Sequence, residues 1–200
     1  MGNLRSVEKA AERVGAIAVT TADSAEIRSA DGIILPGVGA FPRAMARIRE
    51  TGMDELLREA ARVNTPILGI CLGYQLLFES SVELGGAEGL GLLVGDVNEV
   101  PAGGRKVPHI GWAAVTWEKP SPLTDGMRPG EPFYFVHSFV PEPEPDEVLG
   151  TAEYGGTFAC VASRGNTFGV QFHPEKSSTA GLRLLENFSG ICTRLRDGDS

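Results

Sequence analysis

Residues 66–80, PILGICLGYQLLFES, place a short apolar strand directly before an apolar helix. The predicted strand Pro66–Ile70 and the predicted helix Leu72–Ser80 meet at Cys71, in the pattern G-x-C-x-G. This pattern is the thiol version of a nucleophile elbow, a sharp turn that needs glycine on either side of the nucleophile. The start of a helix also favours a thiolate over a thiol. Cys71 is therefore a candidate nucleophile, and a small buried apolar residue is the alternative.

The elements around this turn predict an α/β fold. In the first half, apolar strands alternate with helices, which is typical of a parallel sheet covered on both faces. The predicted helices are 4–14, 24–29, 41–50, 54–63 and 178–191, and the strands of this half are 16–20, 32–35 and 66–70. The second half predicts strands at 92–100, 109–117, 133–139, 148–154, 158–163 and 167–171. We expect one domain over residues 1–200, with a mostly parallel central sheet, flanking helices and an antiparallel portion.

Composition excludes several classes of protein. The 200 residues carry 26 acidic and 18 basic side chains, a net charge of −8, which argues against nucleic acid as the main partner. No apolar run approaches the roughly 20 residues of a membrane span, and the N-terminal residues lack the core of a signal peptide. The three cysteines, at 71, 160 and 192, form neither a disulfide framework nor a zinc pattern. We expect a cytoplasmic protein without a metal site.

A cysteine nucleophile needs a base, and His173 is the best candidate. It follows an apolar strand in the stretch GVQFHPEK, at the kind of sheet edge where Cys71 is also expected. Glu175, two residues further on, can orient the imidazole and stabilise its cation. His109 and His137 are competitors, although each lies inside an apolar strand-like segment and is more typical of a buried, hydrogen-bonded histidine.

The turn LPGVGAF, residues 35–41, is a candidate oxyanion hole. Gly37 and Gly39 allow the backbone to approach a ligand with its N–H groups pointing inward. One donor would be the N–H of Val38 or Gly39, and the other that of Leu72, the residue after the nucleophile. A tight turn without chemistry is an equal alternative.

Taken together, LPGVGAF, GICLGYQLLFE and FGVQFHPEKSS resemble the class I glutamine amidotransferases. The stretches VPHIGW and FYFVHSF narrow the resemblance to the glutaminase subunits of imidazole glycerol phosphate synthase, from Gly2 to about Ser189. The resemblance implies a triad of Cys71, His173 and Glu175 that hydrolyses glutamine to glutamate and ammonia through a thioester, without a cofactor. It also implies a heterodimer with a (β/α)₈-barrel cyclase, which receives the ammonia through a channel and activates the glutaminase.

Further roles come from the same resemblance. Gly37, Gly39, Gln75, Glu83, Ser138 and Phe139 match positions that contact glutamine. Without the resemblance, Gln75 and Glu83 would be interpreted as a solvated helix face. The positions that match the cyclase interface are Pro108, Ile110, Trp112, Tyr134 and Lys176, and core packing is an equal alternative for Trp112.

The chain departs from the family pattern in two places. Ala113 stands where the family has asparagine, and we expect a modest effect at the interface or none. In relatives a β-strand precedes the Gly-Asn-Leu that here begins at Gly2, so the first strand of the sheet is apparently missing, and we expect a true start upstream. Three other functions stay open: a class I glutaminase for another acceptor, a thiol hydrolase or esterase, and an interaction subunit without activity.

Overall fold

A computed structural model describes residues 2–198 of the chain. Its helices are α1 (Gly2–Arg13), α2 (Ser24–Arg28), α3 (Phe41–Glu50), α4 (Met53–Arg62), α5 (Leu72–Leu76) and α6 (Ser178–Asp197). Its strands are β1 (Ile33–Gly37), β2 (Ile67–Cys71), β3 (Ser80–Ser81), β4 (Ala87–Glu88), β5 (Gly95–Glu99), β6 (His109–Ala114), β7 (Thr116–Trp117), β8 (Pro132–His137), β9 (Phe139–Pro143), β10 (Val148–Glu153), β11 (Thr157–Arg164) and β12 (Thr167–Val170). Short 3₁₀ turns lie at Glu83–Gly85, Pro122–Thr124 and Pro174–Lys176.

The main sheet has six strands in the order β1-β2-β12-β11-β10-β7. Strands β1, β2 and β12 run parallel, whereas β12, β11, β10 and β7 pair antiparallel. Every residue of β2 is buried, as expected for a strand covered by helices on both faces. The prediction of an α/β fold with a mixed sheet is therefore confirmed.

Helices cover the two faces of this sheet. Leu68 and Ile70 of β2 belong to a core that also contains Val7 of α1 and Leu184 of α6. Ile67 belongs to a second core, with apolar side chains of α3, α4 and α5. Burial of these apolar faces drives the packing, at about 25 cal/mol for each Å² removed from water.

Two smaller sheets lie beside the main one. One has the order β4-β3-β5-β9, and the other is the antiparallel pair β6-β8. In the pair, His109 lies opposite His137 and Trp112 lies opposite Tyr134. One face of β6 is exposed and the other is covered, so this pair presents a surface next to the central sheet.

Two sequence predictions about elements are wrong. Residues 16–20 form no strand, and Ile17 and Val19 are 97% and 67% exposed. An apolar run becomes a strand only when a neighbour pairs with its backbone, and these residues join none of the described sheets. The helix after Cys71 ends at Leu76 instead of Ser80, because Ser80 and Ser81 pair with β4 and β5.

None of the helices in the described part of the chain is both long and apolar enough to cross a membrane.

Candidate active site

Cys71 ends β2 in a strained backbone conformation. Its φ of 56° and ψ of −111° place a side chain where non-glycine residues rarely lie, at a cost of about 1–3 kcal/mol. The following helix α5 begins at Leu72 and packs directly on the sheet. A Cβ atom on Gly73 would overlap the carbonyl oxygen of Leu35, and one on Gly69 would lie 2.7 Å from the Cα of Tyr74. The two glycines of the G-x-C-x-G pattern therefore allow the close packing that holds Cys71 in its turn.

Parallel pairing brings the histidine segment to the same edge. Val170 of β12 is the register partner of Ile70 in β2, so the residues after β12 emerge beside Cys71. The backbone N–H of His173 donates to the carbonyl oxygen of Tyr134 at 2.9 Å, which fixes the segment against β8. The side chain of Cys71 lies near enough to the imidazole of His173 to affect its pKa.

Glu175 contacts the far side of the imidazole. Its Oε1 lies 2.8 Å from Nδ1 of His173, and the two side chains are 0% and 4% exposed respectively. Oε2 of Glu175 has no hydrogen-bond partner among the described residues. The structure thus brings His173 and Glu175 into contact at the edge of the sheet where Cys71 lies.

The charge state of His173 follows from these neighbours. Burial acts to lower its pKa, but the interactions with Cys71 and Glu175 outweigh burial and raise the pKa to about 9. At neutral pH the imidazole is therefore protonated.

The other two histidines form a buried pair. Nδ1 of His109 is 3.0 Å from Nε2 of His137, and both residues are buried. Burial and the neighbouring His109 lower the pKa of His137 to about 3, and burial also lowers the pKa of His109. Both are neutral at pH 7 and bonded to each other, which agrees with their interpretation as buried, hydrogen-bonded histidines.

The candidate oxyanion turn leaves the sheet beside the nucleophile. Gly37 is the register partner of Cys71, and a Cβ atom there would lie 3.0 Å from the backbone nitrogen of Gly73. Val38 is 65% exposed, and Gly39 has a φ of +103°, which favours glycine. Leu72 is buried at the start of α5. Leu72 directly follows Cys71, and Val38 and Gly39 directly follow Gly37, the register partner of Cys71. The role of all three as donors stays a prediction.

The residues predicted to contact glutamine have different surroundings. Gln75 is only 5% exposed, so it does not lie on a solvated helix face. Its Nε2 donates to the carbonyl oxygen of Phe139 at 2.9 Å and to Oε1 of Gln171 at 3.0 Å. Contact of Gln75 with glutamine stays a prediction. Oε2 of Glu83 accepts from the backbone N–H of Phe41 at 2.7 Å and so holds the first residue of α3. Ser138 is half-buried between β8 and β9.

One contact of the nucleophile was missed at the sequence level. Nε2 of Gln171 donates to Sγ of Cys71 at 3.9 Å, and Gln171 has no exposed surface. The sequence shows Gln171 as a polar residue at the end of a strand whose other residues are apolar or small, but this does not indicate which group it contacts. On the other side, Sγ lies 3.7 Å from the carbonyl oxygen of Val136 in β8.

Comparison with known proteins identifies the family. The profile of class-I glutamine amidotransferases matches residues 3–190. A relative from Moorella thermoacetica, "Imidazole glycerol phosphate synthase subunit HisH", is 53% identical over 192 residues, covering 96% of this chain and 91% of the relative. The chain belongs to the HisH family of class-I glutamine amidotransferases. The HisH proteins of Desulfitobacterium hafniense and Bacillus cereus are 50% and 45% identical over 94% and 96% of the chain, and 89% and 91% of their own lengths.

Solved structures agree with this fold. One, described as a glutamine amidotransferase, superposes with a TM-score of 0.73 at 22% identity and covers 94% of this chain and 93% of its own. A glutaminase domain of Trypanosoma brucei CTPS has a TM-score of 0.67 at 16% identity, with coverage of 95% and 88%. At these identities the likeness concerns the fold of the HisH chain only.

In this HisH chain the predicted partner positions share an exposed surface, the β6–β8 face, formed by Pro108, Ile110, Trp112, Tyr134 and Lys176. Ile110 and Trp112 are 60% and 55% exposed, so core packing does not account for Trp112. The ring of Trp112 meets that of Tyr134 edge-on at 5.8 Å, and Nζ of Lys176 lies 6.0 Å from the centre of the Tyr134 ring. Pro108 is exposed just before β6. Ala113 points to the covered side of β6 and packs against the core.

Within residues 2–198, no group of three or more His, Cys, Asp or Glu side chains is arranged to hold a metal ion.

Proposed function

We propose that this chain is the glutaminase subunit of an imidazole glycerol phosphate synthase, in which Cys71 is the nucleophile. The observation that carries the proposal is the contact of His173 with Glu175, with the sulfur of Cys71 near enough to the same imidazole to affect its pKa. Two remote segments of the chain supply these residues, and they meet at one edge of the sheet. The membership of the HisH family gives the substrate, glutamine, and the reaction, hydrolysis of its side-chain amide.

In the first half of the reaction, the thiolate of Cys71 attacks the amide carbon of glutamine. The carbonyl oxygen becomes an oxyanion, for which the N–H groups of Leu72 and of Val38 or Gly39 are the proposed donors. The protonated His173 then gives its Nε2 proton to the leaving nitrogen, so that ammonia departs and a glutamyl thioester remains. Glu175 accepts from Nδ1 and keeps Nε2 directed at the reacting atoms.

In the second half, water replaces the sulfur. His173, now neutral, removes a proton from water, and the hydroxide adds to the thioester carbonyl. Collapse of the second oxyanion expels the Cys71 thiolate and releases glutamate. The imidazolium and thiolate are restored, so the cycle balances with glutamine and water consumed and glutamate and ammonia formed.

The ammonia is proposed to pass to a cyclase subunit with a (β/α)₈ barrel, bound as a heterodimer at the β6–β8 face. There it reacts with a phosphoribulosyl formimino intermediate to give imidazole glycerol phosphate and an aminoimidazole carboxamide ribotide. The exposed Ile110 and Trp112 support a protein interface, because exposed large apolar side chains anchor such contacts. The backbone bond from His173 to Tyr134 joins this face to the active site. We further propose that the chain acts in the cytoplasm as a single domain.

The test is glutamate release from glutamine, measured for this chain alone, with the cyclase subunit, and with the cyclase subunit and its ligand. We expect little release alone and strong stimulation by the liganded partner. Trp112→Ala should weaken the stimulation at limiting partner concentration, whereas Val63→Ala, an exposed apolar residue on α4's C-terminal end, should not. Stimulation by a different synthase, or hydrolysis of esters without hydrolysis of glutamine, would contradict the proposal.

A further inference from the structure

A buried pair of side-chain amides ends at the sulfur of Cys71. Nε2 of Gln171 donates to Sγ at 3.9 Å, and Oε1 of the same amide accepts from Nε2 of Gln75 at 3.0 Å. Gln171 is 0% exposed and Gln75 is 5% exposed, so no bulk water competes for these bonds.

A backbone carbonyl determines which way both amides face. The carbonyl oxygen of Phe139 can only accept, and Gln75 lies 2.9 Å from it, so the contacting atom of Gln75 is its nitrogen. The same nitrogen donates its second hydrogen to Gln171, which therefore presents its oxygen to Gln75. This leaves the N–H of Gln171 as the group that faces Cys71.

The Phe139 carbonyl that orients Gln75 also contacts the pair of buried histidines. Nδ1 of His137 lies 3.1 Å from the carbonyl oxygen of Phe139, so this nitrogen carries the proton. Neutral His137 then accepts at Nε2 from Nδ1–H of His109. The ring of His109 is stacked between those of Tyr154 at 4.1 Å and Phe135 at 5.2 Å, which fixes its orientation. The Phe139 carbonyl is thus held by donors from two directions.

We propose that Gln171 is a further catalytic residue, whose side-chain N–H stabilises the thiolate of Cys71, and that Gln75 is a positioning residue that holds Gln171. The inference rests on the proposed role of Cys71 as the nucleophile. A hydrogen-bond donor aimed at a group favours its charged form, more so where water is excluded.

Other groups also act on this sulfur. His173, with Glu175 behind it, faces Cys71 from the turn after β12 and favours the thiolate. The carbonyl oxygen of Val136 faces it from β8 at 3.7 Å and favours the protonated thiol. His137 lies beyond Phe139 and stays neutral, so it adds no charge at neutral pH. The Gln171 donor opposes the Val136 carbonyl, and removing it should shift the balance toward the thiol.

The test is the pH dependence of alkylation of Cys71 by iodoacetamide, followed by mass spectrometry of the peptide that contains it. In Gln171→Met we expect the midpoint of the rate profile to rise by about one pH unit, and the rate at pH 7 to fall about tenfold. Gln171→Glu keeps the shape and the acceptor toward Gln75 but faces the sulfur with a carboxylate, and should raise the midpoint further. Gln75→Met should raise it by less. A residue that serves only to pack the strand would not move the midpoint.

Controls separate the effect from loss of folding. Thr167→Val changes a buried residue at the other end of β12 and should leave the midpoint unchanged. A second measurement needs no variant. In the unmodified chain, the NMR chemical shifts of the Gln171 side-chain amide should change with pH, with the same midpoint as the alkylation of Cys71. An unchanged midpoint in a folded Gln171 variant, or Gln171 resonances that do not follow the titration, would overturn the proposal.

Failure of the proposed function gives a different result. Alkylation needs no glutamine, so a shifted midpoint in a chain that does not release glutamate would retain the donor and reject the glutaminase. Glutamate release together with an unchanged midpoint in the Gln171 variants would retain the glutaminase and reject the donor role of Gln171.

Discussion

Nδ1 of His173 lies 2.8 Å from Oε1 of Glu175, two residues further along the chain, and both side chains are almost fully buried. Pro174 between them starts a 3₁₀ turn, which brings the carboxylate back to Nδ1 of the ring. The contact orients the imidazole and stabilises its cation, and it is one of the causes that raise the pKa of His173 to about 9.

Replacing the carboxylate of Glu175 by an amide should change both the pKa of His173 and the glutaminase activity. In Glu175→Gln we expect the pKa of His173 to fall, because the negative neighbour is lost while burial remains. Glutaminase activity in the presence of the partner should drop by roughly 10²–10⁴-fold, since the favoured tautomer is lost as well. NMR titration of His173 and steady-state kinetics measure the two effects. Glu186→Gln, an exposed change on α6, is the control, and equal behaviour of the two variants would reject the role of Glu175.

The strained backbone at Cys71 predicts an unusual order of stability. At a φ of 56° a Cβ atom is unfavourable, so Cys71→Gly should be more stable than Cys71→Ala by about 1 kcal/mol. Urea unfolding of both variants measures the difference. At Cys160, a buried residue of β11 with ordinary backbone angles, the order should reverse, because glycine weakens a strand. The same order at both positions would mean that the turn holds no strain.

Close packing of α5 on the sheet makes Gly73 a sensitive position. A methyl group there would overlap the carbonyl oxygen of Leu35, and backbone atoms on both sides cannot move apart cheaply. We expect Gly73→Ala to destabilise the chain by about 3 kcal/mol or to prevent folding. Gly190→Ala, in α6, meets only the end of Arg194 at 3.6 Å and should be neutral or stabilising by about 0.5–1 kcal/mol. Thermal unfolding of the two variants measures these changes in stability. A mild effect of Gly73→Ala would contradict the packing described for the turn.

Acid should destabilise the chain through His137. Its pKa falls from 6.5 in a model peptide to about 3 in the fold, because burial disfavours the cation. The neutral form is stabilised by folding, so its contribution is present above pH 6.5 and is lost as the pH falls toward 3. Between pH 6.5 and 5 this loss is about 2 kcal/mol in the free energy of unfolding.

The matched variant is His137→Phe, which keeps a ring but does not titrate. Urea titrations at pH 6.5 and at pH 5 measure the free energy of unfolding. Between these two pH values, the decrease should be smaller in His137→Phe than in the unmodified chain, by about 2 kcal/mol. His173 is present in both proteins, and its raised pKa acts in the opposite direction, so it cancels in the comparison. Parallel decreases in the two proteins would show that His137 is not buried as a neutral residue.

The sequence predicted the parts of the fold that depend on local patterns. Apolar strands followed by helices placed β2 and the start of α5 correctly, and the G-x-C-x-G pattern located the sharp turn at Cys71. The strand predicted at 16–20 failed because pairing, and not apolar character, decides whether such a run becomes a strand.

The site was predictable only where its residues are close in sequence. His173 and Glu175 are two positions apart, whereas the contact of Cys71 with His173 depends on the parallel register of β2 and β12. Gln171 was missed because a single glutamine in an apolar strand gives no local sign of what it contacts. The bond between His109 and His137 likewise comes from the register of β6 and β8.

The account predicts one covalent intermediate, and trapping it is the most direct test. The complex with the cyclase subunit is quenched in acid during turnover of glutamine, and its peptides are analysed by mass spectrometry. We expect a glutamyl group on the peptide that contains Cys71 and none on those with Cys160 or Cys192, and neither thioester nor glutamate in Cys71→Ala. A glutamyl group on another residue, or undiminished glutamate release by Cys71→Ala, would contradict the account.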